Sequence, residues 1–118
     1  MKALAEQVGE EVMGYTMKWV DGSDWNQEMP LNQRDDWGYA TLVAEDDDLR
    51  FEWAPDENVN DWWELVEKMK ADGWLLLFMD RKKNAAAQFF RNNRVCHGQG
   101  GTAFEATCHA ALVAVRNE

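Results

Sequence analysis

The sequence has few of the residues on which common catalytic sites and disulfide-bonded folds depend. Its 118 residues include two cysteines, two prolines and two histidines, and Ser23 is the only serine. Two cysteines do not make a disulfide framework, which favours a reducing cytosolic setting. Because Ser23 lies outside any Gly-x-Ser-x-Gly motif and no third group accompanies the Cys and His residues, we expect no enzymatic activity.

Long apolar runs are also absent. No run approaches the roughly 18 residues of a membrane-spanning helix, and Met1–Glu6 lacks the apolar core of a secretory signal. We therefore expect neither membrane binding nor secretion. The 22 acidic and 12 basic residues give a net charge of −10. This charge argues against binding to duplex nucleic acid, because the phosphate backbone would be repelled.

Acidic residues are missing from one stretch, residues 81–104, while the rest of the chain holds all 22 acids. This stretch contains five basic residues: Arg81, Lys82, Lys83, Arg91 and Arg94. It follows an apolar run, residues 74–79, whose length is typical of a buried strand. A polar turn at 81–84 and a return strand at 85–90 complete a predicted hairpin that leads into the concentrated positive charge.

The remaining patterns predict a single α+β domain over residues 1–118. Apolar residues spaced by four predict a helix over residues 2–13, and alternation predicts a strand over 15–20. Residues 21–58 indicate an insert of loops and short strands, such as 39–43 and 49–53.

Two good N-cap residues predict the other helices. Asn58 precedes an apolar stripe that ends at Gly73, and Thr102 precedes the last helix with Glu105 at the capping-box position. A third strand over 94–97 is expected to stop at the glycine-rich residues 98–101. The expected fold is thus a mostly antiparallel sheet flanked by three helices.

Two further motifs contain residue types that bind anions or metals. Residues 98–101 precede a helix N-terminus, where N–H groups favour an anion; the alternative is a plain connection, because the Lys-Ser/Thr of a phosphate loop is missing. Cys96-His97 and Cys108-His109 are of zinc-ligand types. Adjacent strand residues point to opposite faces, however, so we expect no metal.

Aromatic residues adjoin the arginines of the acid-free stretch. Phe89 and Phe90 precede Arg91, Asn92 and Arg94, a composition that suits stacking of a nucleobase beside phosphates held by guanidinium groups. The alternative is one core phenylalanine beside a solvated basic turn. Seven tryptophans and five phenylalanines exceed what one small core readily hides, which indicates self-association.

Several motifs, in this order and spacing, resemble the phage ABA-sandwich domain family. They are Val8-(x)3-Val12-Met13-Gly14-Tyr15, Phe51-x-x-Ala54-Pro55, Asn58-Val59-(x)3-Trp63-Glu64-Leu65-Val66-Glu67-Lys68-Met69, Gly73-Trp74, and Gly100-Gly101-Thr102-(x)4-Ala106-Thr107-Cys108-His109-Ala110-Ala111-Leu112.

The resemblance implies a small bacteriophage protein that acts in the cytoplasm of the infected bacterial cell. Some relatives, the Thoeris anti-defence sponges, bind cyclic ADP-ribose-type signals and related cyclic nucleotides without cleaving them, in pockets between subunits of dimers or hexamers. Such pockets use aromatic residues and arginines. This chain has His109 where relatives commonly have Arg, and Tyr15 where they usually have Trp.

Residues and resemblance together predict a phage anti-defence protein that sequesters a cyclic nucleotide immune signal. It would need no cofactor or metal and would form a homodimer or homohexamer. The expected ligand-binding residues are Tyr15, Phe89, Phe90, Arg91, Asn92, Arg94, His109 and Arg116. The alternative function is an acidic inhibitor that binds a host defence protein by imitating nucleic acid, with residues 45–48 in a basic channel.

Overall fold

The first helix was correctly predicted from its apolar spacing, although half of it has an unexpected geometry. A computed structural model describes residues 2–28, 40–80 and 84–117. Helix α1 (Leu4–Val8) continues as a π-helical segment, Gly9–Met13. The segment ends at Gly14, whose φ of +76° lies in the left-handed region that glycine adopts without steric cost. The helix over residues 2–13 is confirmed, but its second half is a π-helix.

A four-stranded antiparallel sheet follows, in the order β2-β1-β3-β4. Its strands are β1 (Thr16–Asp21), β2 (Asp24–Glu28), β3 (Ala40–Asp46) and β4 (Leu49–Glu52). β1 pairs with β3 along its whole length, so residues 21–58 build most of this sheet and are not an addition to a separate fold. Residues 29–39 lie outside the described part of the chain. They include the first residue of the short strand expected at 39–43.

Helix α2 (Val59–Ala71) begins where the sequence predicts. The Asn58 side chain accepts hydrogen bonds from the backbone N–H groups of Asn60 and Asp61, which satisfies donors that a helix start leaves unpaired. The Asp61 carboxylate does not complete a capping box, because it accepts the N–H of Ala54. It thereby ties the helix to the loop after β4.

A second sheet is formed by the acid-free stretch and the run before it, in the order β5-β6-β7. β5 is Leu75–Asp80, β6 is Ala85–Arg91 and β7 is Arg94–Gly100, and helix α3 (Ala103–Arg116) follows. The inner face of this sheet packs under α3 through its buried residues: Ala85, Ala87, Phe89 and Cys96. The hairpin is confirmed, while residues 81–83 in its turn lie outside the described part of the chain.

The expectation that β7 stops before residue 98 is wrong. The strand continues to Gly100, because its glycines allow the backbone to lie directly against α3. A Cβ added at Gly98 would lie 2.4 Å from the Ala110 nitrogen and 2.5 Å from the Ala106 oxygen. Thr102 then caps α3 by accepting the N–H of Glu105, as predicted.

The α+β class is confirmed, with a correction to the sheet. The described strands form two antiparallel sheets, where the sequence analysis expected one. None of the helices in the described residues is long and apolar enough to cross a membrane.

Candidate functional site

The β6–β7 hairpin holds two arginines side by side. Arg91 and Arg94 are direct register partners across the Asn92-Asn93 turn, so their side chains leave the same face of the sheet. Asn92 has a φ of +55°, a left-handed conformation that asparagine tolerates in tight turns. Like charges directly opposite each other destabilise a strand pair. The turn therefore keeps two positive charges together at a cost that other contacts must offset.

Both arginines bind carbonyl groups at helix ends. Nη1 of Arg91 donates to the Asp72 carbonyl at 3.2 Å, at the end of α2, and its guanidinium lies 4.4 Å from the centroid of the Trp74 ring. Nη2 of Arg94 donates to the Asn117 carbonyl at the end of α3. Cations at helix C-termini interact favourably with the helix dipole. No carboxylate in the described residues forms an ion pair with Arg94.

Strand alternation separates the two phenylalanines. Phe89 is fully buried under α3, and its predicted stacking on a ligand is not supported, because the ring fills the core. Phe90 lies on the opposite, outer face, where it pairs with Leu75 and Val95. Because Arg91 and Arg94 follow the inner face, a single chain does not bring Phe90 onto the arginine side of the sheet.

Tyr15 and His109 lie apart from the hairpin turn. The Tyr15 ring is 5.2 Å from Phe51 and 5.3 Å from Trp53, edge-on to both, and burial raises the pKa of its hydroxyl. His109 is exposed on α3. It precedes Asn117, whose carbonyl binds Arg94, by eight residues, which corresponds to about 12 Å along the helix. Neither side chain forms a described contact with the turn.

Arg116 is committed to an ion pair. Its Nε and Nη2 atoms donate to the two carboxylate oxygens of Glu11 at 2.8 Å each, and Nη2 also donates to Gln7 Oε1 at 2.7 Å. The arginine therefore ties the end of α3 to the first helix. The hydrogen bond from the guanidinium lowers the pKa of Glu11.

We expect Arg116→Met to lower the free energy of unfolding by less than about 1 kcal/mol at pH 7, the usual range of an exposed pair. Because the folded-state pKa of Glu11 is depressed, this contribution is present above the unfolded-state pKa and is lost as pH falls through the folded-state pKa. Urea unfolding at pH 7 and about pH 3 measures the difference. Lys70→Met, which removes another exposed charge, is the control. An equal loss for Arg116→Met at both pH values would contradict the ion-pair role.

Residues 6–112 match the family model of the phage ABA sandwich domain. The chain belongs to this family. The match runs from α1 through both sheets and most of α3, which confirms the resemblance seen in the sequence motifs. The chain is thus a phage protein by family.

A solved structure has a similar fold. A crystal structure of a phage protein from Bacillus cereus ATCC 14579 is similar with a TM-score of 0.63 and 19% identity, over 98% of this chain and 93% of that one. At this identity the likeness shows the fold alone. No curated protein matches the sequence significantly.

This phage ABA sandwich domain has a second charged surface, the acidic turn between β3 and β4. Glu45 lies 3.5 Å from Lys18 Nζ and 3.3 Å from Arg50 Nε. Residues 46–48, all aspartates, are exposed, and no basic residue in the described ranges forms an ion pair with them. The turn therefore presents three carboxylates to solvent.

The cysteines of the domain lie inside the protein. Cys96 and Cys108 are free and buried, and burial raises the pKa of the Cys108 thiol. Their neighbours His97 and His109 are exposed. Within residues 2–28, 40–80 and 84–117, no three His, Cys, Asp or Glu residues are grouped so that they could hold a metal ion.

Proposed function

We propose that this phage protein binds a cyclic nucleotide immune signal and sequesters it without cleaving it, in the cytoplasm of the infected cell. The ligand would be of the cyclic ADP-ribose type or a cyclic oligonucleotide. The observation that carries the proposal is the Arg91–Arg94 pair, held together across a two-residue turn. Guanidinium groups match the geometry of phosphate oxygens and bind them through paired N–H donors.

The surroundings of the two arginines favour an anion at this turn. Helix-end carbonyls hold both guanidinium groups in place. A guanidinium has five N–H donors, so the bond from Arg94 to the Asn117 carbonyl leaves other donors of Arg94 for a ligand. The chain as a whole carries −10, so an anion is repelled by most of the surface and attracted to a local cluster of positive charge. The exposed Asn92 side chain can hydrogen-bond to a base edge or a ribose hydroxyl.

The contacts above revise the expected set of ligand-binding residues. We assign phosphate binding to Arg91 and Arg94 and a polar contact to Asn92. Phe89 fills the core, and Arg116 holds Glu11. Phe90 lies on the opposite face of the sheet, and Tyr15 and His109 form no described contact with the turn, so we assign none of these three residues to the ligand within one chain.

Calorimetry with a panel of cyclic ADP-ribose isomers and cyclic dinucleotides tests the proposal. We expect one ligand class to bind, and Arg94→Glu to weaken its affinity by at least about 100-fold, because it replaces a charge-assisted hydrogen bond by repulsion. Lys2→Glu, which changes the net charge equally at an exposed site, should retain binding. Mass spectrometry after incubation should recover the ligand intact. Absence of binding to every ligand, or equal affinity in Arg94→Glu, would show the assignment to be wrong.

The exposed aspartates at 46–48 favour a second candidate, an inhibitor that imitates a nucleic-acid backbone. Three adjacent carboxylates that pair with no basic residue in the described ranges can occupy a basic channel of a host protein. Replacement of the three aspartates by asparagine should then abolish stoichiometric capture of that host protein, while leaving cyclic nucleotide binding unchanged. Retention of the captured protein would exclude imitation by this turn.

A further inference from the structure

The face of the three-stranded sheet opposite α3 is not covered by any described element. We call it the outer face; strand register assigns to it Leu75, Leu77, Met79, Ala86, Gln88, Phe90, Val95, His97 and Gln99. Its aliphatic side chains are strongly exposed: Leu75 by 67%, Leu77 by 55%, Met79 by 48% and Val95 by 56%. An apolar surface of this extent on a single chain marks a binding surface more often than a solvated one.

The sequence of β5 independently indicates that its outer side is covered. On the inner side, Leu76 packs against the core and Phe78 lies edge-on to Trp62 with ring centroids 5.8 Å apart. On the outer side the strand is equally apolar, through Leu75, Leu77 and Met79. A strand with one solvated face alternates apolar and polar residues, whereas a strand covered on both faces is apolar throughout. β5 has the second pattern.

The charge of the outer face identifies the kind of partner. None of its nine residues is Asp, Glu, Lys or Arg, in a chain in which 29% of residues are charged. A strongly basic or acidic partner requires opposite charges, which this face does not provide. In a two-fold interface the same patch meets itself, so residues near the axis face their own copies and a neutral patch avoids like-charge contacts. The amides of Gln88 and Gln99 have both donors and acceptors and can pair with themselves.

We propose that the outer face binds the same face of a second copy of this chain, forming a two-fold dimer in which two three-stranded sheets pack against each other. Six of the nine residues are exposed and the other three are half-buried, over three adjacent strands; a standard interface takes about 800 Å² from each partner. A shallow cavity of about 140 Å³, lined by Leu77, Phe78, Met79, Ala86, Gln88 and His97, can receive an apolar side chain of the second copy. Neutral packing also keeps the two acidic bodies, each of charge −10, from meeting through their carboxylates.

Sedimentation equilibrium of the purified full chain over a range of concentrations tests the dimer. We expect the wild type to have twice the 13.6 kDa mass of one chain and Leu77→Glu to have the mass of one chain, because two carboxylates would be buried against an apolar surface. Val59→Glu is the matched control: its side chain is 56% exposed, it lies at the start of α2, and the variant should remain dimeric. Circular dichroism confirms that the variants fold; if Leu77→Glu does not, Leu75→Lys at the 67% exposed position replaces it.

Each sedimentation result either supports or overturns the dimer. A wild type that is monomeric at every concentration would overturn the inference. The outer face would then be in contact with solvent or with another part of the same chain. An assembly that Leu77→Glu leaves intact would also overturn it. A larger wild-type assembly that Leu77→Glu reduces in size supports the outer face as one of its interfaces. The dimer does not depend on cyclic nucleotide binding. Calorimetry on the same variants measures binding at the Arg91–Arg94 site separately.

Discussion

Replacement of Gly98 by alanine is expected to lower the free energy of unfolding by about 3 kcal/mol, the upper end of the usual cost of overpacking. The added methyl group would lie 2.4 Å from the Ala110 nitrogen and 2.5 Å from the Ala106 oxygen. Both are backbone atoms of a helix, which cannot rotate away as a side chain can. Helix α3 would have to move off β7 and expose the apolar layer between them. Urea unfolding followed by circular dichroism measures the loss.

The same substitution at Gly101 provides the control for Gly98→Ala. The nearest heavy atom to an added Cβ there is Glu105 Oε2 at 3.7 Å, which is an ordinary contact with the flexible end of a side chain. We expect Gly101→Ala to change the free energy of unfolding by no more than about 0.5 kcal/mol. Similar losses in the two variants would contradict the close approach of strand and helix as the cause of the cost at Gly98.

Trp53→Ala is expected to cost about 3–5 kcal/mol, the usual range for removal of a buried aromatic side chain. Trp53 is 1% exposed and contacts Tyr15 and Phe51 edge-on. Its Nε1 also donates to the Ala5 carbonyl at 3.0 Å, and the substitution removes this buried hydrogen bond. The first helix would lose its hydrogen bond to the residue that follows β4. Thermal and urea unfolding of the variant measure this loss.

The control for Trp53→Ala is Trp63→Ala. Trp63 is 55% exposed, and although its ring lies 6.1 Å from that of Trp62, most of its surface already contacts water. We expect a cost of no more than about 2 kcal/mol, because more than half of this residue is already in contact with water. Comparable losses in the two tryptophan variants would contradict the central packing role assigned to Trp53.

The elements that sequence reasoning placed correctly are those that depend on nearby residues. Asn58 and Thr102 cap helices through N–H groups two or three positions away, and Gly14 ends its helix through its own φ. These effects act within one helical turn, so a local pattern is sufficient to predict them. The strands of the β5–β6 hairpin were likewise identified from a short apolar run and a polar turn.

Glycines 98 and 100 were misinterpreted because glycine has two meanings in a sequence. It permits turns, but it also permits another backbone to approach closely. The signal that distinguishes the two lies on α3, where Ala106 and Ala110 are spaced by four and face Gly98. When a glycine on a strand is accompanied by alanines spaced by four on the next helix, the pattern predicts close packing of strand and helix. It does not predict that the strand ends at the glycine.

The arginine contacts could not be predicted from the chain alone. Arg91 binds a carbonyl 19 positions away and Arg94 one 23 positions away, and both depend on how the helices lie against the second sheet. The assignment of Phe89 was predictable in part, because Ala85, Ala87 and Phe89 alternate on the face that α3 covers. The residue types of the site were predicted from the sequence. The placement of Phe89 and Phe90 on opposite faces of the sheet was not.

The composition of the layer between α3 and β7 limits which substitutions can measure its contribution to stability. It is built largely from residues that already lack side chains of any length: Ala85, Ala87, Gly98, Gly100, Ala106, Ala110, Ala111 and Ala114. Such residues have no rotamers to lose on folding. Alanine scanning, which locates important positions by trimming atoms, is therefore blind to these positions, and substitutions that add bulk are needed to reveal how much the domain depends on them.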